Sequence, residues 1–132
     1  MKLELKHLAG YLPYGLTGLS IEENLGIEII KGFSTYGKYN ITSLITDVDD
    51  IDITLFKPIL RPLSDLKKEI EVNSEKFVPN LKMQWTFCSD FNYNQYILNG
   101  NLEFRKMQDL LEWHFDIYGL IDAGLAIDIN TL

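Results

Sequence analysis

At 132 residues, 46% of them hydrophobic and 23% charged, the chain has the size and composition of one globular domain. Its net charge of −7 is spread evenly, with six basic and nine acidic side chains in residues 1–66 against six and ten in residues 67–132. Neither half therefore offers a basic face to a phosphate backbone, and nucleic-acid binding is disfavoured.

No apolar run nears the roughly 20 residues of a membrane helix, so no membrane partner is expected. The start of the chain, from Lys2 to His7, alternates charges with leucines and lacks the apolar core of a secretory signal. The single cysteine, Cys88, excludes an internal disulfide and a cysteine-based zinc site. A cytoplasmic location is the expectation.

In residues 3–12, Leu5, Leu8 and Leu12 recur at helical spacing. Pro13 should stop that helix near Tyr11, with a turn at Tyr14-Gly15. Residues 16–63 change texture, with β-branched and aromatic runs separated by Gly, Asn and Asp. They predict strands near 16–21, 26–33, 39–46 and 51–60. Pro58 and Pro62 should put the end of the last strand at a sheet edge or outside it. Ser64 is the expected N-cap of a helix reaching about Val72, and residues 73–76 form a turn.

Residues 81–87 fit either a short helix or a strand. Residues 93–104 read as a β-hairpin, because Asn99-Gly100 supplies the positive φ angles of a type I′ turn. A helix follows from about Arg105. Arg105, Asp109, Glu112 and Asp116 fall on one side, and Met107, Leu110, Leu111, His114, Ile117, Tyr118 and Ile121 on the other. Leu110, Leu111, His114, Ile117 and Ile121 are therefore expected to be structural core. Gly119 and Gly124 act as helix stops, and residues 125–130 alternate as a final strand. The fold class is α+β: a single domain with an antiparallel, strand-rich N-terminal half, a β-hairpin, and a C-terminal amphipathic helix followed by a short strand.

Few residues suggest chemistry. His114 beside Asp116 resembles half of a catalytic arrangement, but helical residues two apart diverge, so Asp116 should not orient His114. A histidine bonded to a backbone carbonyl or a tyrosine is the simpler reading. His7 could reach His114 only through the fold.

Asp47, Asp49, Asp50 and Asp52 form the densest carboxylate cluster. Ile51 stands where an EF-hand needs a ligand, and the required glycine is missing at the sixth position, which favours an ordinary turn. Cys88 has no evident base beside it. There is no nucleophile elbow, phosphate-binding glycine loop or His-Glu-x-x-His motif. No catalytic residue, metal or cofactor is expected. The surplus tyrosines and phenylalanines are a different resource, since such rings suit partner surfaces. Tyr36, Tyr39, Phe91, Tyr93 and Tyr96 are the candidates for binding.

Three stretches carry a family resemblance. They are residues 2–16 (KLELKHLAGYLPYGL), residues 57–66 (KPILRPLSDL), and residues 113–121 (WHFDIYGLI) continuing through 124–130 (GLAIDIN). They resemble a group of small uncharacterised proteins from gut Bacteroidales and their phages and prophages. Gly10 departs from a proline typical of that group. The resemblance implies a shared scaffold and a mobile-element origin, and brings no activity or site residue with it. It also implies that residues 17–56 and 80–109, between the stretches, hold the specificity.

The expected function is a non-enzymatic, phage-type module that binds a protein of phage or host, with self-association also compatible. The alternative is a nucleic-acid accessory factor using Lys2, Lys6, Lys57, Arg61, Lys67 and Lys68.

Overall fold

The structure is a computed structural model and describes residues 2–21, 26–36, 41–47, 50–82 and 104–132. The fold is α+β. A four-residue helix, α1 (Leu5–Leu8), leads into a 3-10 turn at Leu12–Tyr14. Pro13 sits inside that turn rather than beyond a longer helix, at a position where its missing N–H has no role. Gly15 follows at φ 68°, closing the turn expected at Tyr14-Gly15.

Strand β1 (Thr17–Ser20) pairs antiparallel with β2 (Ile27–Ile29) on one side and with β6 (Phe56–Leu60) on the other. The short β9 (Ile127–Asp128) adds in parallel beside β6, giving the order β2-β1-β6-β9. A second sheet is the antiparallel meander of β3 (Gly32–Tyr36), β4 (Ile41–Ile45) and β5 (Asp50–Asp52). A third is the hairpin of β7 (Ile70–Val72) and β8 (Glu75–Phe77). Its turn residues, Asn73 and Ser74, both have positive φ. That is the backbone a tight hairpin turn requires.

Several boundaries differ from the sequence expectation. The strand expected over 26–33 is two strands, β2 and β3. The one expected over 51–60 is β5, a 3-10 turn at Ile53–Leu55 and then β6. Asp52 makes that break by accepting hydrogen bonds from the Thr54 backbone and hydroxyl, 2.9 and 2.8 Å. The helix expected from Ser64 to Val72 is only a 3-10 turn, Leu63–Lys67, with Pro62 as its N-cap, and the chain then enters β7.

Pro58 lies in a central strand, not at an edge. The Ile21 N–H donates to the Leu55 carbonyl, which makes Leu19↔Lys57 the next hydrogen-bonded pair and Gly18↔Pro58 a non-bonded one. The Pro58 nitrogen therefore points toward β9, whose pairing starts only at Ile59. The missing donor falls where no neighbour needs it.

Helix α2 (Pro79–Lys82) occupies the start of the ambiguous region, and the hairpin expected over 93–104 lies outside the described residues apart from its last position. Helix α3 (Phe104–Glu112) ends well before the expected stop at Gly119. His114 adopts φ 60°, its N–H bonds the Leu111 carbonyl, and the Phe115 N–H bonds that of Leu110. This is a Schellman closure with histidine in the place usually held by glycine. Gly119 and Gly124 serve later turns, at φ 72° and 74°. The tail is β9 followed by a 3-10 turn at Ile129–Thr131 rather than one strand. The core joins all these parts, with Leu8, Tyr11, Leu16, Leu44, Leu60, Leu110, Phe115 and Leu120 fully removed from solvent.

Candidate functional site

Strand pairing assigns each face of the larger sheet. Gly18, Phe56, Pro58 and Leu60 share the face turned to the core, and Phe56 and Leu60 belong to its main cluster. Gly18 is required there, because an added Cβ would collide with the Phe56 ring and the Lys57 carbonyl. The opposite face carries Ile27 and Ile29 from β2, Thr17 and Leu19 from β1, Lys57 and Ile59 from β6, and Ile127 from β9. Ile59 is buried yet stands outside the main cluster.

At the edge of this outer face the usual arrangement is inverted. Ile27 is 58% exposed and Ile29 45%, while Glu28 between them is turned to the core side and only 9% exposed. Strands normally bury the apolar set and expose the charge. Here two β-branched apolar side chains meet water next to a half-buried Leu19.

The backbone of this edge is equally open. The Ile30 N–H bonds the Leu16 carbonyl, so Glu28 is the next residue whose N–H and C=O face β1. Those of Ile27 and Ile29 face away from β1, and among the described residues they have no partner.

The residues singled out from sequence are dispersed. The His114 Nε2 lies 2.7 Å from the Tyr14 carbonyl and must be its protonated donor. Burial lowers the His114 pKa, with Arg61 adding to the fall, although the bond to Tyr14 opposes it. His7 accepts the Glu4 N–H at Nδ1, 3.0 Å, and meets the Tyr118 ring edge-on at 5.4 Å. Neither histidine is oriented by a carboxylate among these contacts.

Asp116 was expected on the outer side of a helix. It is instead 5% exposed and accepts the N–H groups of Leu120 and Ile121 at 2.8 and 2.9 Å. The helix has already ended, so the carboxylate is free to shape the next turn. Leu110 and Ile117 are buried, whereas Leu111, His114 and Ile121 are partly buried.

Within the aspartate cluster, Asp52 caps the 3-10 turn and Asp47 lies 3.9 Å from Lys31, while Asp49 lies outside the described residues. Among the described residues no group of three or more His, Cys, Asp or Glu side chains could hold a metal. Tyr36 ends β3, while Tyr39, Cys88, Phe91, Tyr93 and Tyr96 lie outside the described residues.

A cleft of about 160 Å³ opens between Pro62–Ser64 and the turn holding Asp116 and Asp122. That is small against the ~300–1,000 Å³ of typical small-molecule sites. Its buried carboxylate is already bonded to backbone. No helix among the described residues is long and apolar enough to cross a membrane.

Sequence reasoning missed Ile27, Glu28 and Ile29. One signal was present, the Ile29-Ile30 doublet: in a strand, neighbouring residues take opposite faces, so one of the two had to point out. Compared with known proteins, the chain matches no family model, no curated protein and no solved structure.

Proposed function

We propose that this chain is a non-enzymatic binding module of phage or prophage type, whose partner is another protein. The observation that carries the reading is the inverted edge strand, with Ile27 and Ile29 turned to water and Glu28 turned in. Single exposed apolar residues are ordinary. Two on one edge, beside Leu19 and an open backbone, form a surface suited to being covered. β2 also falls within residues 17–56, between the stretches that carry the family resemblance, where a variable specificity element would sit.

The nucleic-acid alternative draws little support, because several cations it needs are already engaged. Lys6 pairs with Glu4 and Lys68 with Asp65, and Arg61 bonds the carbonyls of Trp113 and Glu71. Lys57 lies on the outer sheet face beside Leu19.

The test is affinity capture from gut Bacteroidales lysates, infected and uninfected, using the wild type and the Ile27→Asp/Ile29→Asp variant. Substituting exposed positions should leave the melting temperature nearly unchanged. A partner recovered by the wild type and lost by the variant supports the reading. Failure to recover any partner, or equal recovery by both proteins, counts against it.

A further inference from the structure

We infer that β2 takes up an extended segment of another protein as a fifth strand of the larger sheet, and that this segment places a basic residue opposite Glu28 between two apolar ones. The inference rests on the protein-binding reading and names the mode and chemistry of the contact.

The backbone argument comes first. Ile27 and Ile29 direct their N–H and C=O groups to the open side of the sheet, unpartnered among the described residues. An incoming strand would bond to them and gain main-chain hydrogen bonds without depending on its own sequence. Its side chains then alternate with those of β2. The residues beside Ile27 and Ile29 lie on the outer apolar face, and the residue beside Glu28 lies on the core side.

Charge selects the occupant. A second copy of this chain, paired antiparallel so that all three residues of each β2 are used, would set Ile27 against Ile29 and Glu28 against its own counterpart. Two glutamates that each retain only 9% exposure would face one another at cross-strand distance, and like charges so placed repel. An inward-pointing charge on an edge strand is a recognised guard against self-pairing. The same carboxylate favours a lysine or arginine from a different chain, and the net charge of −7 acts in the same direction. The fitting segment is therefore apolar–basic–apolar.

Blocked seven-residue peptides alternating valine with threonine, and carrying lysine, serine or glutamate at the central position, would be titrated against the intact chain. Backbone-amide NMR and hydrogen exchange would follow the titration. The lysine peptide should bind most tightly and slow exchange at the amides of Ile27 and Ile29. The glutamate peptide should bind about two- to fivefold more weakly than the serine peptide at low salt. N-methylation of the peptide groups facing β2 should abolish binding. Glu28→Gln should leave the fold intact and erase the preference for lysine.

Binding without protection of Ile27 and Ile29, or with no charge preference, would overturn strand addition. So would a dimer of the chain that Ile29→Asp dissociates in light scattering, since the occupant would then be a second copy. If the peptides fail while lysate capture still depends on Ile27 and Ile29, this inference falls and the binding-module reading stands. If both fail, both fall.

Discussion

Tyr11 links the start of the chain to the segment that follows α3. Its hydroxyl donates to the Phe115 carbonyl at 2.5 Å and accepts the Ile117 N–H at 3.2 Å, in a site closed to solvent. Burial pushes the phenol far above its ordinary pKa, so it stays protonated and able to do both. Tyr11→Phe keeps the ring and strands two buried backbone groups. It should cost at least about 2 kcal/mol in urea denaturation, and a smaller loss would mean that water replaces the hydroxyl.

His114 is a second residue with two roles, holding positive φ and donating to Tyr14. His114→Ala should cost about 1–2 kcal/mol, and His114→Asn less, because asparagine tolerates the left-handed region. Its folded pKa lies below the ordinary 6.5, so the unfolded chain binds the proton more readily. The stabilisation is complete above 6.5 and is lost as pH falls through the lower folded value. Melts between pH 7.5 and 5 should show the wild type losing more stability than His114→Asn; parallel curves would exclude the linkage.

At the scale of elements, β1 depends on one glycine. Gly18 lies under the Phe56 ring, and a methyl group there would also press on the Lys57 carbonyl, so the clash cannot be relieved by a ring rotation alone. Gly18→Ala should destabilise by about 1–3 kcal/mol, and Phe56→Leu in the same chain should recover part of that loss. Equal losses for the single and double variants in thermal melts would show that the ring is not the obstacle.

The existence and type of β1, β4, α3 and the β7–β8 turn were legible in the sequence, because each rests on local pattern or turn chemistry. Their boundaries were less so, and the reasons are particular. The apolar period of α3 continues past His114, but bonds from Arg61 and to Tyr14, both distant in sequence, hold the chain out of the helix. Ser64 looks like an N-cap, yet Pro62 starts the turn and β7 begins within a few residues. The open edge of β2 was only half legible for a related reason: the Ile29-Ile30 doublet requires one isoleucine to point out, and tertiary packing alone decides which.

Across the whole molecule, three separate stretches, residues 2–16, 57–66 and 113–130, converge on one junction. Tyr11 and Tyr14 come from the first, Arg61 from the second, and residues 113–117 from the third. Arg61 is the hub. Its N–H bonds the His114 carbonyl and its carbonyl accepts the Asp116 N–H, forming a parallel bridge to Phe115. Its Nε reaches the Trp113 carbonyl at 3.1 Å and its Nη2 reaches Glu71 at 3.0 Å. The guanidinium thus ties the end of α3 to β7, and partial burial lowers its pKa without removing its charge. A lysine ammonium is a point donor on a flexible stem and cannot span both carbonyls. Arg61→Lys should therefore lower stability by about 1–2 kcal/mol, shifting the urea midpoint with little change in slope. In a Trp85→Phe background, which leaves Trp113 as the fluorophore, tryptophan fluorescence and far-ultraviolet circular dichroism should move together if the junction unites the sheet and α3 in one cooperative unit. Separation of the two transitions would show that Arg61 holds only the local corner around Trp113.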